Sequence, residues 1–312
     1  MAAFHPDLCP TARFLPRSVH PALIVRLMRL REKLRRSKIP KVPHVEGVIA
    51  QDVLVPSLTE GHSIRVRLFR PANSPRPVPA LLWIHGGGFV MGDSEIDEAN
   101  NIAIVRETGI AVAAVNYRLA PRHPFPAPIE DCYAALRWLS SEANVRPDRI
   151  AVGGSSAGAG LAAGLVLMAH DRGEIPVAFQ LLLYPMLDDR TALRTDMDMS
   201  NVRLWSNNCN RFGWRAYLQK NPGSADVHPY AAPARRADLS GLPPTWMGVG
   251  TFDLFYDEDL AYAQRLLQSG GACELRVVEG AYHGFDLFSP KSNVVRQFRQ
   301  SYVHALQRAL SA

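Results

Sequence analysis

The sequence is poor in cysteine, has no long apolar run and shows no internal repeat. Its four cysteines, Cys9, Cys132, Cys209 and Cys273, lie far apart in 312 residues. They form no CxxC pair, which excludes a disulfide-stapled scaffold and a zinc knuckle. Scattered thiols suit a reducing compartment. No stretch approaches the ~20 consecutive apolar residues of a membrane span. The first twenty residues are broken by Pro6, Pro10 and Pro16 and lack the apolar run of a secretory signal. A cytoplasmic protein without stable membrane insertion is therefore expected. The apolar fraction of 47% excludes a disordered chain. At this length a chain buries roughly 75% of its unfolded surface, so the core needs no staples.

An excess of one charge sign is also lacking, outside one place. The net charge is +6, yet residues 26–41 alone carry eight basic side chains against the single acid Glu32. Basicity is thus local, and no nucleic-acid partner is expected. Leu23, Leu27, Leu30 and Leu34 recur through the same stretch at helical spacing, which predicts an amphipathic helix. Its basic face reads as solvated surface, with a membrane-surface or anionic-partner role as the alternative.

The chain alternates strands with helices. Gly47–Val55 and Ser63–Phe69 alternate apolar and polar residues, as half-buried strands do. Ala80–Ile84, Ile110–Val115, Ile150–Val152, Phe179–Leu183, Thr245–Val249 and Leu275–Val278 are short, nearly continuous apolar runs, as in a parallel sheet covered on both faces. Helical stretches lie at Pro128–Ser141, Ala157–His170, Glu258–Ser269 and Val294–Leu310. The class is α/β. From about Asp189 to Leu239 the rhythm stops. That polar insertion of ~50 residues is too long for a plain loop and reads as a cap over one end of the sheet. Its Trp205, Phe212 and Trp214 could line an acyl pocket or fill the core of the cap.

The strand at Ile150 runs into Gly154-Ser155-Ser156-Ala157-Gly158. This is G-x-S-x-G, where a serine sits on a sharp strand-to-helix turn that only small neighbours let close. Ser155 does not fit the frame, because Ala157 would then stand where the second glycine belongs. A rival reading takes the same glycines as a dinucleotide loop. Against it, several strands precede the motif and no Tyr-x-x-x-Lys pair is present.

Strand Ala80–Ile84 runs into His85-Gly86-Gly87-Gly88-Phe89. Bare backbone N–H groups after a buried strand can face a negative oxygen. Gly87 and Gly88, with Ala157 after the serine, are the expected oxyanion donors. His85 precedes the serine and reads as a loop holder. The base should follow the serine, after an acid. His283 lies in a loop after the strand at Leu275, where sites gather, whereas His228 is in the insertion and His304 reads as surface. Asp253 ends the strand at Thr245. Asp257 is expected to brace the loop beneath it. Glu258 and Asp259 read as acids at a positive helix end.

These segments, with Tyr117–Pro126 and Asp253-Leu-Phe-Tyr-Asp257, fall in the order seen in the hormone-sensitive-lipase family of α/β-hydrolases, the bacterial family IV esterases, and the chain resembles that family over roughly residues 45–312. The resemblance implies an α/β-hydrolase fold with a mostly parallel eight-stranded sheet, flanking helices and a helical cap. It implies a core at 46–188 and 241–312, and a cap made of 1–45 and 189–240. It also implies a carboxylesterase for short-to-medium-chain esters, with Ser156, Asp253 and His283 as triad, no cofactor and no metal. A homodimer is possible in such a family. Three departures stand out: Ser155 where an acid is common, Ala159 where a second glycine is common, and Leu254 after the triad acid where proline is usual. A receptor-like ligand-binding module on the same fold is the alternative, and keeping His283 argues against it.

Overall fold

Apolar runs become strands here because both faces of the sheet are covered. The computed structural model describes residues 3–21, 23, 26, 30, 42–74 and 77–311. The basic helix expected over 26–41 falls largely outside them. Eight strands form one sheet: β1 (Val48–Pro56), β2 (Ser63–Pro71), β3 (Val78–Ile84), β4 (Ala111–Asn116), β5 (Val145–Ser155), β6 (Phe179–Leu183), β7 (Thr245–Phe252) and β8 (Cys273–Tyr282). Their order is β1-β2-β4-β3-β5-β6-β7-β8. β2 runs antiparallel to both its neighbours, and the other pairs are parallel. This is the eight-stranded, mostly parallel sheet of an α/β-hydrolase.

Alternate residues of each strand feed two cores. Ala80, Leu82 and Ile84 of β3 join the core on one face, while Leu81 and Trp83 join the other. The first face is covered by α3 (Ala127–Ser141), α4 (Ala157–Arg172) and α6 (Tyr256–Gln268); the second by α2 (Glu98–Thr108) and α8 (Asn293–Leu310). Two short helices, α1 (Cys9–Ala12) and α7 (Phe285–Phe288), complete the described set together with α5 (Asn207–Leu218). α2 is absent from the sequence reading because its periodicity is weak. Only Asn101, Ile104 and Val105 are buried.

Residues 189–240 contain no strand. They hold α5 and two short 3-10 turns, Asp189–Leu193 and Pro233–Arg235. α5 turns Asn210, Gly213, Trp214 and Tyr217 inward and Arg211 and Arg215 outward. The N-terminal segment meets this region: Leu204 N–H donates to the Pro16 carbonyl at 2.9 Å, and the Cys209 thiol to that of Val19 at 2.8 Å. The residues before it are tied to the core instead. His5 N–H donates to the Gly280 carbonyl at 3.0 Å, and Asp7 accepts from Val294 N–H at 3.1 Å. Among the described residues no helix is long and apolar enough to cross a membrane.

Candidate active site

β5 ends at Ser155 and α4 begins at Ala157. Ser156, between them, has φ 55° and ψ −124°, a conformation that costs a non-glycine residue about 1–3 kcal/mol. The surroundings over-determine it. Its N–H donates to the Leu183 carbonyl at 2.9 Å, and its own carbonyl accepts from Gly160 at 3.0 Å and Met186 at 3.1 Å. Gly154 and Gly158 are required by close approach. A Cβ on either would collide with the Ile84 carbonyl at the end of β3, and one on Gly158 would also strike that of His85. The turn can therefore close only with glycine on both sides.

The chain brings together the three side chains read from sequence. Ser156 Oγ lies 2.9 Å from His283 Nε2, and His283 Nδ1 lies 2.8 Å from Asp253 Oδ2. The other Asp253 oxygen accepts from Phe255 N–H at 3.0 Å. With a carboxylate on Nδ1, that nitrogen carries the proton and Nε2 is left to accept from the serine. All three residues are buried. Tyr184 and Phe255 set their rings edge-on to the imidazole, with centroids 4.9 and 5.2 Å away.

The glycine run after β3 passes along the elbow: a Cβ on Gly86 would stand 3.3 Å from Ser156 Cβ. Among the described residues, the amides of Gly87, Gly88 and Ala157 are not given to backbone carbonyls. His85 takes no part in the hydrogen-bonded triplet. Its ring stacks on Tyr117 at 4.3 Å, and the Tyr117 hydroxyl donates to the His85 carbonyl at 3.0 Å. Arg118 beside it donates to the buried Asp131. Tyr117–Pro126 thus supports the glycine loop from behind.

The acids after Asp253 are arranged differently from the sequence expectation. Asp257 does not brace the loop beneath Asp253; it is exposed and paired with Arg194 at 2.5 Å. Glu258 and Asp259, expected at a solvated helix start, are buried. Glu258 Oε1 accepts from Leu187 N–H at 2.7 Å and Asp188 N–H at 3.1 Å, and so ties α6 to the segment after β6. Burial pushes both carboxyls well above the usual range.

Two further acids behind the site left almost no sequence signal. The Trp83 indole N–H donates to Asp97 at 2.8 Å, and burial raises that carboxyl to about 6. The Tyr184 hydroxyl donates to Asp286 at 2.8 Å, and burial raises this carboxyl too. A buried tryptophan on β3 needs an acceptor, which is the only hint Asp97 leaves in the chain.

A family profile described as alpha/beta hydrolase fold matches residues 81–287. The carboxylesterase NlhH of Mycobacterium tuberculosis is 31% identical over 90% of this chain and 89% of its own length. Esterase LipI of the same species is 35% identical over 71% of each chain. Among solved structures, a bacterial heroin esterase superimposes with a TM-score of 0.89 at 39% identity, covering 99% of this chain and 98% of its own. Fold, matched region and relatives agree: the chain belongs to the hormone-sensitive-lipase-like, family IV branch of the α/β-hydrolases and is a serine carboxylic-ester hydrolase.

Proposed function

We propose that this protein hydrolyses short-to-medium-chain carboxylic esters through an acyl-enzyme on Ser156. The observation that carries the reading is the continuous chain from Ser156 Oγ to His283 Nε2 and from His283 Nδ1 to Asp253, at 2.9 and 2.8 Å. Ser156 Oγ attacks the ester carbonyl carbon while Nε2 takes its proton. Asp253 fixes the imidazole tautomer and stabilises the imidazolium. The amides of Gly87, Gly88 and Ala157 receive the oxyanion, each worth roughly 3 kcal/mol in the transition state. Nε2 then protonates the departing alcohol oxygen as the C–O bond breaks. Water attacks the acyl-enzyme, gives its proton to Nε2 and releases the acid, and Ser156 recovers its proton.

The segment 189–240 acts as a cap, together with the N-terminal residues that meet it. The relatives named as esterases support the substrate class. Ser156→Ala tests the assignment: steady-state turnover of p-nitrophenyl butyrate should fall by about 10⁶ with an unchanged circular-dichroism spectrum. Wild-type turnover in that variant would overturn it.

A further inference from the structure

The site is walled differently on its two sides, and reaction geometry says which half of an ester meets which wall. His283 Nε2 must reach the leaving oxygen, so the alcohol half departs on the histidine side. The oxyanion amides hold the carbonyl oxygen, so the acyl half extends away from His283, along the glycine loop.

On the glycine-loop side stands Trp205. It is 8% exposed, and the benzo edge of its indole lies against Gly88. A Cβ on Gly88, whose φ is +61°, would run into the far edge of that ring. Gly213 of α5 backs the same ring: a Cβ there would stand 3.3 Å from the indole and 2.8 Å from the Gly88 carbonyl. The benzo edge of the indole thus rests against two glycines, where any larger residue would displace it. Trp214 is a different case. It is fully buried and packs on Phe89 at 5.2 Å, behind the loop, so it serves the core. On the histidine side, large apolar side chains keep exposed area. Beyond Gly284, Leu287 and Phe288 are 48% and 45% exposed. Each lies 3.9 Å from where a Cβ on Gly284 would sit. Two large apolar side chains, half exposed, thus stand beside the glycine that follows the base.

We propose that Trp205 closes the acyl side, and that Leu287 and Phe288 receive the alcohol side, making the enzyme selective for short-acyl esters of bulky apolar alcohols. This rests on the Ser156–His283 reading above and narrows its substrate class. Trp205 acts as a wall, and it takes no part in the bond-making steps.

The test is two series of kcat/KM ratios, which cancel differences in active fraction. In the p-nitrophenyl acyl series, wild type should favour acetate over octanoate. Trp205→Ala should raise the octanoate-to-acetate ratio tenfold or more, since each methylene given room is worth about fourfold. Trp205→Phe should move it the same way by less, and serves if the alanine variant does not fold. In a series of acetates of aliphatic alcohols with matched leaving-group basicity, cyclohexylmethyl should exceed ethyl. Phe288→Ser should cut that ratio about fivefold, the worth of ~40 Å² of apolar contact, and leave the acyl ratio alone. Wild type that accepts octanoate as well as acetate would overturn the proposal. So would a Trp205 variant with an unmoved acyl ratio, or wild type with no preference for the bulky alcohol. Failure of the underlying reading looks different, because Ser156→Ala would then still turn over every ester in both series.

Discussion

Asp253 and Asp259 stand six positions apart, the first just past the end of β7 and the second in the opening turn of α6, and both are buried. Asp253 is saturated: one oxygen faces His283 Nδ1 and the other accepts from Phe255 N–H. Neither oxygen of Asp259 has a hydrogen-bond partner among the described residues, and Glu258 and Asp253 nearby add repulsion to the burial that pushes its carboxyl up. Between them Glu258 spends one oxygen on two backbone amides. Depth alone therefore says nothing about what an acid does. The donors that surround it decide whether a carboxyl holds an imidazole, ties two segments together or sits neutral in the core.

The largest break in this comparison should come from Asp253→Asn. An amide keeps the shape but favours the wrong imidazole tautomer, so kcat should fall about 10⁴-fold with little change in KM. Steady-state kinetics with p-nitrophenyl butyrate checks this. A drop of less than tenfold would mean that Asp253 only packs. Glu258→Ala comes next. It strands the amides of Leu187 and Asp188, and each buried unpaired group costs about 1–3 kcal/mol. Urea denaturation should show a loss of a few kcal/mol, and Glu258→Gln, which can still accept from both amides, should recover most of it.

Asp259→Asn should do least to activity and should change pH dependence instead. A carboxyl whose folded pKa is raised favours the folded state at low pH. That contribution is lost as pH rises from the unfolded value toward the folded one. The neutral amide has no such loss. The variant should therefore be the more stable at pH 7, with Tm higher by about 2–4 °C per kcal/mol recovered, and the gap should close toward pH 4. Thermal melts across pH 4–8 measure it. A gap independent of pH would show that the Asp259 carboxyl titrates alike in the folded and unfolded chain, and would overturn the burial argument.

Much of this was legible in one dimension. All eight strands announce themselves as apolar runs or alternations, because the sheet is covered on both faces in its middle and half-covered at its edges, β1 and β8. The spacing of Gly154, Ser156 and Gly158 reads directly, since the collision of any Cβ with the Ile84 carbonyl leaves no other residue possible. α2 was not legible, because its buried side is narrow. The acids of α6 misled: Asp257, Glu258 and Asp259 look alike as a first-turn cluster, yet one faces Arg194 and two face inward.

What the sequence by itself determined is whatever local sterics and periodicity enforce: the order of strands and helices, the two glycines beside Ser156, and the run of bare amides after β3. The tertiary structure alone decided which acids are buried, which of the insertion's aromatics stands on Gly88, and that residues 127 positions apart come within 2.9 Å. The physical reason is that partners of a buried polar group come from distant segments. Their identity is set by how the sheet and helices pack, and no window of the chain contains it.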